Sequence, residues 1–316
     1  MPLAAKKNQR TEKVTPAQLD VEPVPAPEEE APPAPPKVTA LVYSYNNEAG
    51  LRRCLAALEA STVRAAMEIL VVDKGSQDGS PALDTEFPEA TFLRLPRNFG
   101  NTKALNIGMR TGTAENVLFL PPEIEVEPDT VGRLLQQLES DSEAVAVCPL
   151  VTSAGGGPVP QFFQLPTPQS GTHLVPIPVS GEEPVAVEYA TFEAMLARKY
   201  FIRGINYLDE RFGEFGGDAE LSFQIQRAGR KTLAMPGIRV TRQARAIRQS
   251  EGAETLLEAD KVHGLAVYFG KHYGFVSGLT FRIKEVFSAL FRFRFSLLLS
   301  LLTDTKVDGF QSAQLS

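Results

Sequence analysis

From Val38 onward the chain alternates short apolar runs with amphipathic stretches. Residues 38–45 are apolar and β-branched, which suits a buried strand. Leu51, Cys54, Leu55 and Leu58 then recur at i, i+3, i+4 and i+7, the spacing of a helix with one apolar stripe. Residues 68–73 give a second buried strand, and the turn 74–79 carries glycines that permit positive φ. Ser80 before Pro81 predicts an N-cap with proline at the first helical position. Further strands are predicted over 91–95, 117–120 and 144–147. Helices are predicted over 102–110 and on the stripe of Val131, Leu134, Leu135 and Leu138.

Strands alternating with helices at this pitch mean βαβ units and a mostly parallel, Rossmann-like α/β sheet flanked by helices. Ligands of such sheets sit outside the carboxyl ends of the strands. Those ends carry Tyr45-Asn46-Asn47, Asp73, Arg97-Asn98 and Pro121-Pro122-Glu123. Residues 152–187 break the rhythm with three consecutive glycines and many prolines, so a long loop or irregular hairpin over the strand ends is expected there. Helical patterning resumes at 191–200, again at 218–228, where Leu221, Ile225 and Ala228 share a face, then over 253–272 and 279–302.

The 316 residues are 43% hydrophobic, enough for a substantial core. A net charge of −6 argues against a nucleic-acid partner. Two cysteines, Cys54 and Cys148, make no disulfide framework and suit a reducing compartment. With no apolar signal core and no run of about 20 uncharged apolar residues, a cytoplasmic protein is expected. Residues 1–36 hold nine of the 24 prolines and an acidic run at 28–30. They read as a disordered Pro/acidic tail, with a polyproline spacer as the rival.

VTALVYSYNNEAGLRRCLAAL, ILVVDKGSQDGS and LPRNFGNTKALNIGMR, followed by YLDERFGEFGGDAELSFQIQRAG, resemble family-2 glycosyltransferases in the order and spacing of their motifs. The rhamnosyltransferase-like enzymes of bacterial surface polysaccharides are the most similar subgroup. The resemblance implies a GT-A fold over residues 37–275, with a nucleotide-binding half at 37–150 and an acceptor half at 151–275. It also implies a nucleotide-sugar donor, an inverting displacement, and a glycan or polyprenyl-linked acceptor of the cell envelope. Carried over by position, Tyr45 and Glu48 meet the nucleoside, Asp73 accepts from the base edge, and Asn98 and Asn106 close on ribose and diphosphate. Asp218 falls on the expected general base. Each has a plainer rival: Asp73 as turn former, Asn98 and Asn106 as caps, Asp218 as a helix cap. Glu220 reads as a solvated helix residue.

The departures from the family are specific. Where it carries paired aspartates that hold Mg²⁺ or Mn²⁺ on the diphosphate, this chain has Leu120-Pro121-Pro122-Glu123, with Glu123 the only nearby carboxylate. A histidine ligand expected near 241–243 is absent, Gly217 replaces a glutamate, and Lys74 stands where asparagine is usual. No ordered metal site is therefore expected, and a divalent cofactor would be weak or absent. Between Glu220 and Glu251 the chain is free of acids but rich in arginine. Arg239, Arg242, Arg245 and Arg248 are candidates to bind phosphate in the metal's place; a solvated basic surface is the alternative.

Residues 276–316 are expected to form a helical tail. Over 279–302 its phenylalanines and leucines mix with Arg282, Lys284, Arg292 and Arg294. That composition suits a helix lying in the headgroup plane on the inner face of the membrane, or packing on the main domain or a second subunit. Two functions follow: a glycosyltransferase, possible without a metal, or a catalytically inactive relative kept as a binding or assembly partner. Retention of Asp218 favours the enzyme.

Overall fold

The computed structural model describes residues 34–244 and 251–303. The tail 1–36 therefore lies almost wholly outside the described residues, as do Arg245 and Arg248. Four strands predicted from the sequence form the parallel half of one sheet. They are β1 (Val38–Ser44), β2 (Met67–Asp73), β3 (Ala90–Arg94) and β4 (Asn116–Leu120), in the order β3-β2-β1-β4. Register pairs Ser44 with Asp73 and Asp73 with Arg94, so these strand ends finish in one row.

Helices α1 (Glu48–Glu59) and α3 (Thr130–Ser140) pack on one face of the sheet through Leu51, Leu55, Leu58, Val131, Leu134 and Leu138. Helix α2 (Asn101–Thr111) covers the other face through Ala104, Leu105 and Met109. The stripes of α1 and α3 are the ones their periodicity predicts. The turn after β2 differs in detail: residues Ser80–Thr85 form a short 3₁₀ helix whose cap is Gly79, and the Ser80 side chain caps nothing. Asp78 does that work, taking the Ser80 N–H at 3.0 Å and the Glu48 N–H at 2.9 Å.

The second half is mixed. Two-residue β5 (Ile124–Glu125) is followed after α3 by the long β6 (Ala144–Ser153). Residues 154–184 are irregular apart from β7 (Phe162–Phe163), as the glycines and prolines predict. Short β8 (Val185–Val187) and β9 (Tyr189–Ala190) come next. The expected helix at 191–200 is instead strand β10 (Met195–Arg198), antiparallel between β4 and β6, and only Lys199–Gly204 (α4) is helical. Met195, Leu196 and Ala197 are all buried because a central strand has both faces covered. A continuous apolar run of that kind does not distinguish strand from helix.

Helix α5 (Gly217–Arg227) buries Leu221 and Ile225 as expected, while Ala228 lies past its end and is exposed. Strand β11 (Lys231–Arg242) runs parallel to β6, and its last residues pair with β5. Helices α6 (Glu251–His272), α7 (Phe275–Phe291) and α8 (Phe295–Leu302) complete the chain, with a break at 292–294 where Phe293 has φ 54°. Their inner faces share a cluster with α5: Phe281 meets Phe269 at a ring distance of 4.9 Å, beside Ala219, Leu265 and Leu297.

Candidate active site

The carboxyl ends of β1, β2 and β4 open into a cavity of about 420 Å³. Backbone strain and side-chain bonds fix its floor. Asn46 follows β1 at φ 46°, a left-handed conformation that asparagine tolerates. Its side-chain oxygen accepts the Gln77 N–H at 2.8 Å, tying the first turn to the second. Gly75 has φ +84° and sits so near Arg97 that an added Cβ would lie 2.8 Å from its Cα, so glycine is required there. Asn47 caps α1 by accepting the Gly50 N–H, and donates its amide to Glu123 Oε1 at 2.9 Å. Thus the loop after β4 is held by the loop after β1.

Lys74 enters the same cavity. Its ammonium donates to Glu214 Oε1 at 2.7 Å and to Asn101 Oδ1 at 2.7 Å, and both partners of the ion pair are almost fully buried. Asn98 adds a bond to Glu214 at 3.1 Å and accepts the Gly100 N–H. Asp260 of α6 accepts the backbone N–H of Glu214 at 2.8 Å and of Phe215 at 3.2 Å. The loop before α5 is therefore clamped from two sides.

Asp218 stands at the first turn of α5 and lines the cavity. Burial lifts its carboxyl above the usual aspartate range, against the pull of the Ala219 N–H at 2.9 Å and the Tyr189 hydroxyl. The helix dipole also favours negative charge at this end. Opposite stands Glu193, whose Oε1 accepts from Arg242 Nη1 at 2.7 Å. Its Oε2 is buried with no hydrogen-bond partner among the described residues. Burial raises the Glu193 carboxyl, Glu123 and Asp218 add to the rise, and Arg242 opposes it. Ala194, next in sequence, has φ 56°, a strained geometry of the sort that accumulates at functional sites.

Of the residues singled out in the sequence, Tyr45, Asn98, Glu123, Asp218 and Arg242 line this one cavity. Others do not reach its wall. Asp73 is buried, but its carboxylate is taken by the Ser76 N–H at 3.1 Å and the Ser76 hydroxyl, the bonding of a turn former. Asn106 spends its amide on the Leu208 backbone and Glu210, fastening α2 to the loop 205–210. Glu48 pairs with Arg52 on the outside of α1. Arg239 is exposed on β11, where a spacing of three puts it on the opposite face from Arg242.

Glu220 is a correction as well. It is not solvated but 3% exposed, bonded to His272 Nε2 at 2.5 Å, Lys271 at 2.8 Å and Gln224 at 2.8 Å. Burial alone would raise its carboxyl, yet these donors hold it below the usual glutamate range. Glu193 and Glu214 escaped sequence reasoning altogether. The one signal for Glu193 was an acid inside the apolar run 189–198. Among the described residues no group of three or more His, Cys, Asp or Glu side chains is arranged to hold a metal ion.

Residues 39–171 match the model of glycosyl transferase family 2. This stretch is a family-2 glycosyltransferase domain. The relatives agree. An N-acetylglucosaminyl-diphospho-decaprenol L-rhamnosyltransferase of Mycobacterium tuberculosis is 25% identical over 230 residues, 64% of this chain and 74% of the relative. An undecaprenyl-phosphate 4-deoxy-4-formamido-L-arabinose transferase of Sodalis glossinidius is 33% identical over 118 residues, 34% of this chain and 36% of the relative. Among solved structures, a mannosyltransferase of Pyrobaculum calidifontis in complex with GDP-Man and Mn²⁺ superposes with a TM-score of 0.52. It is 15% identical, over 88% of this chain and 77% of that one. GalNAc-T7 with UDP, GalNAc and Mn²⁺ gives a TM-score of 0.55 at 16% identity, over 67% of this chain; the match spans only 44% of GalNAc-T7. The fold around the family-2 domain is thus GT-A, with C-terminal helices added.

Proposed function

We propose that the protein is an inverting glycosyltransferase that moves a sugar from a nucleotide-sugar donor to a lipid-linked acceptor of the cell envelope, without a bound cation. The observation that carries the reading is Asp218: a partly buried carboxylate at a helix N-terminus, in one cavity with Tyr45, Asn98, Glu123 and Arg242. As general base it takes the proton of the acceptor oxygen that attacks the anomeric carbon, while the nucleoside diphosphate leaves from the opposite face. A raised pKa brings such a base nearer to neutral pH, where a general base is most effective. The relatives named above act on decaprenol- and undecaprenyl-linked substrates, which supports a lipid-linked acceptor.

The solved neighbours hold Mn²⁺, but the residues present here do not suit one. Pro121 and Pro122 bring no ligand, Glu123 is bonded to Asn47, and the guanidinium of Arg242 already stands in the same cavity. Arg242 supplies fixed positive charge to the departing diphosphate, as a cation does elsewhere. The reading also places the protein against the inner face of the membrane through α7 and α8. No helix among the described residues is long and apolar enough to cross a membrane.

A thermal-shift panel of nucleoside diphosphates and sugar nucleotides, with Mn²⁺ and with EDTA, tests the reading. One nucleoside diphosphate should raise Tm equally in both buffers, by a margin corresponding to about 2.7 kcal/mol at a hundredfold excess over Kd. Silence across the panel would favour a non-catalytic scaffold. A shift seen only with Mn²⁺ would remove Arg242 from the role of the cation.

A further inference from the structure

We infer that a second cavity, between α6, α7 and α8, binds the phosphate group of a polyisoprenyl-linked acceptor through Lys261 and Arg292. The inference rests on the transferase reading and adds to it the acceptor's binding site. The cavity holds about 310 Å³ and is closed on one side by Thr172 of the long loop. Lys261 lines it and also lines the cavity that contains Asp218, so one residue forms part of the wall of both.

The charges in the second cavity are unevenly matched. Arg294 is paired with Glu258 through both of its Nη atoms. The side chain of Lys261, half-buried on α6, has no hydrogen bond or ion pair with any described residue, and neither has the guanidinium of Arg292. Against these two cations the cavity offers one further carboxylate, Glu285. Removing an ammonium from water without a counter-charge is unfavourable, so the arrangement favours an anion. A guanidinium and an ammonium side by side suit a phosphate.

The surroundings say what the phosphate is attached to. Arg292 lies between Phe291 and Phe293, which are 76% and 77% exposed. On α7 the apolar side chains Phe275, Leu279, Ile283 and Phe287 recur every four residues as one exposed stripe leading to Phe291. A water-soluble phosphate ester would leave this stripe without a use. A lipid phosphate uses all of it: the chain follows the apolar face into a bilayer, the phosphate meets Arg292 and Lys261, and the acceptor oxygen passes Lys261 toward Asp218.

The test uses the full chain and farnesyl diphosphate as a short, soluble isoprenyl probe, with inorganic pyrophosphate as the control for a plain anion. Calorimetry should show farnesyl diphosphate binding that is stronger than pyrophosphate binding and falls at least tenfold in Lys261→Ala/Arg292→Ala. Arg292 is exposed, so Arg292→Ala alone should fold normally, weaken the probe severalfold and bind nucleoside diphosphate within twofold of the parent. Equal affinity of parent and double variant for farnesyl diphosphate would overturn the site. Pyrophosphate binding as tightly as the isoprenyl probe would overturn the lipid assignment. Failure of the parent to bind any nucleoside diphosphate, with the isoprenyl result intact, would count against the transferase reading and not against this site.

Discussion

Arg242 Nη1 lies 2.7 Å from Glu193 Oε1, and the pair joins the end of β11 to the loop before β10 inside the candidate active site. The Arg242 side chain is 42% exposed and that of Glu193 17%, so the guanidinium keeps one side free for a ligand while its partner is largely covered. A pair so placed contributes little to stability on its own. It does fix where positive charge stands. Arg242→Ala should therefore lower kcat about 10²- to 10³-fold, the usual loss when one transition-state donor is removed, with Tm nearly unchanged. Glu193→Gln keeps the size of the side chain but releases Arg242, and should raise KM for the donor more than it lowers kcat. Steady-state kinetics of both variants checks the division.

Asp218 and Tyr189 give a pH prediction whose sign can be worked out. A general base acts only when deprotonated, so kcat should rise with pH through the Asp218 pKa, and burial displaces that limb above the ordinary aspartate range. The Tyr189 hydroxyl donates to the carboxylate and holds the pKa down. Tyr189→Phe should accordingly move the acidic limb to higher pH and leave the plateau rate close to the parent's. Asp218→Asn should cost about 10²- to 10⁴-fold in kcat at every pH while nucleoside diphosphate still binds. A limb that does not move in Tyr189→Phe would mean that another group titrates there.

The parallel half of the sheet was legible because each strand is a short apolar run and each helix a clean stripe, and nothing in the tertiary structure opposes those local preferences. Placing the site at the strand ends needed only that alternation. Beyond residue 190 the signals overlap. Met195–Arg198 is buried on both sides, which erases the twofold alternation that marks a half-exposed strand. The contacts that define the cavity were out of reach for a different reason. Lys74 and Glu214 are 140 positions apart, and Arg242 and Glu193 are 49 apart. Their meeting depends on sheet register and on a loop path that no local pattern encodes. Asp73 and Asn106 show the reverse: the family resemblance put them against the donor, while their carboxylate and amide bond within the chain, to Ser76 and to Leu208 and Glu210.

The Lys74–Glu214 pair predicts a stability effect. Both charges are nearly removed from water, and Asn98 and Asn101 complete their bonding. Removing one partner leaves the other buried and uncompensated, which typically costs about 3–5 kcal/mol. Glu214→Ala should lower Tm by roughly 5–10 °C for a chain of this size. Replacing both, as Lys74→Met/Glu214→Leu, leaves no orphan charge and should recover most of that loss. Calorimetric Tm values for the parent, single and double variants decide it. A double variant no more stable than Glu214→Ala would show that the pair is not the reason for the loss.

The exposed phenylalanines of the C-terminal helices carry the membrane prediction. Phe291, Phe293 and Phe295 are each more than 60% exposed around the break between α7 and α8, and exposed Arg292 stands between the first two in sequence. Aromatic side chains next to basic ones suit the headgroup region of an anionic bilayer. Even partial burial of a phenylalanine contributes on the order of 1 kcal/mol. Phe291→Ser/Phe293→Ser/Phe295→Ser should therefore reduce binding to vesicles of mixed neutral and anionic phospholipid about tenfold or more, and high salt should weaken the parent's binding. Nucleoside diphosphate binding should survive, because none of the three lines the active-site cavity. If the triple variant floats with vesicles as fully as the parent, the apolar face serves another contact and α7 and α8 do not hold the protein at the membrane.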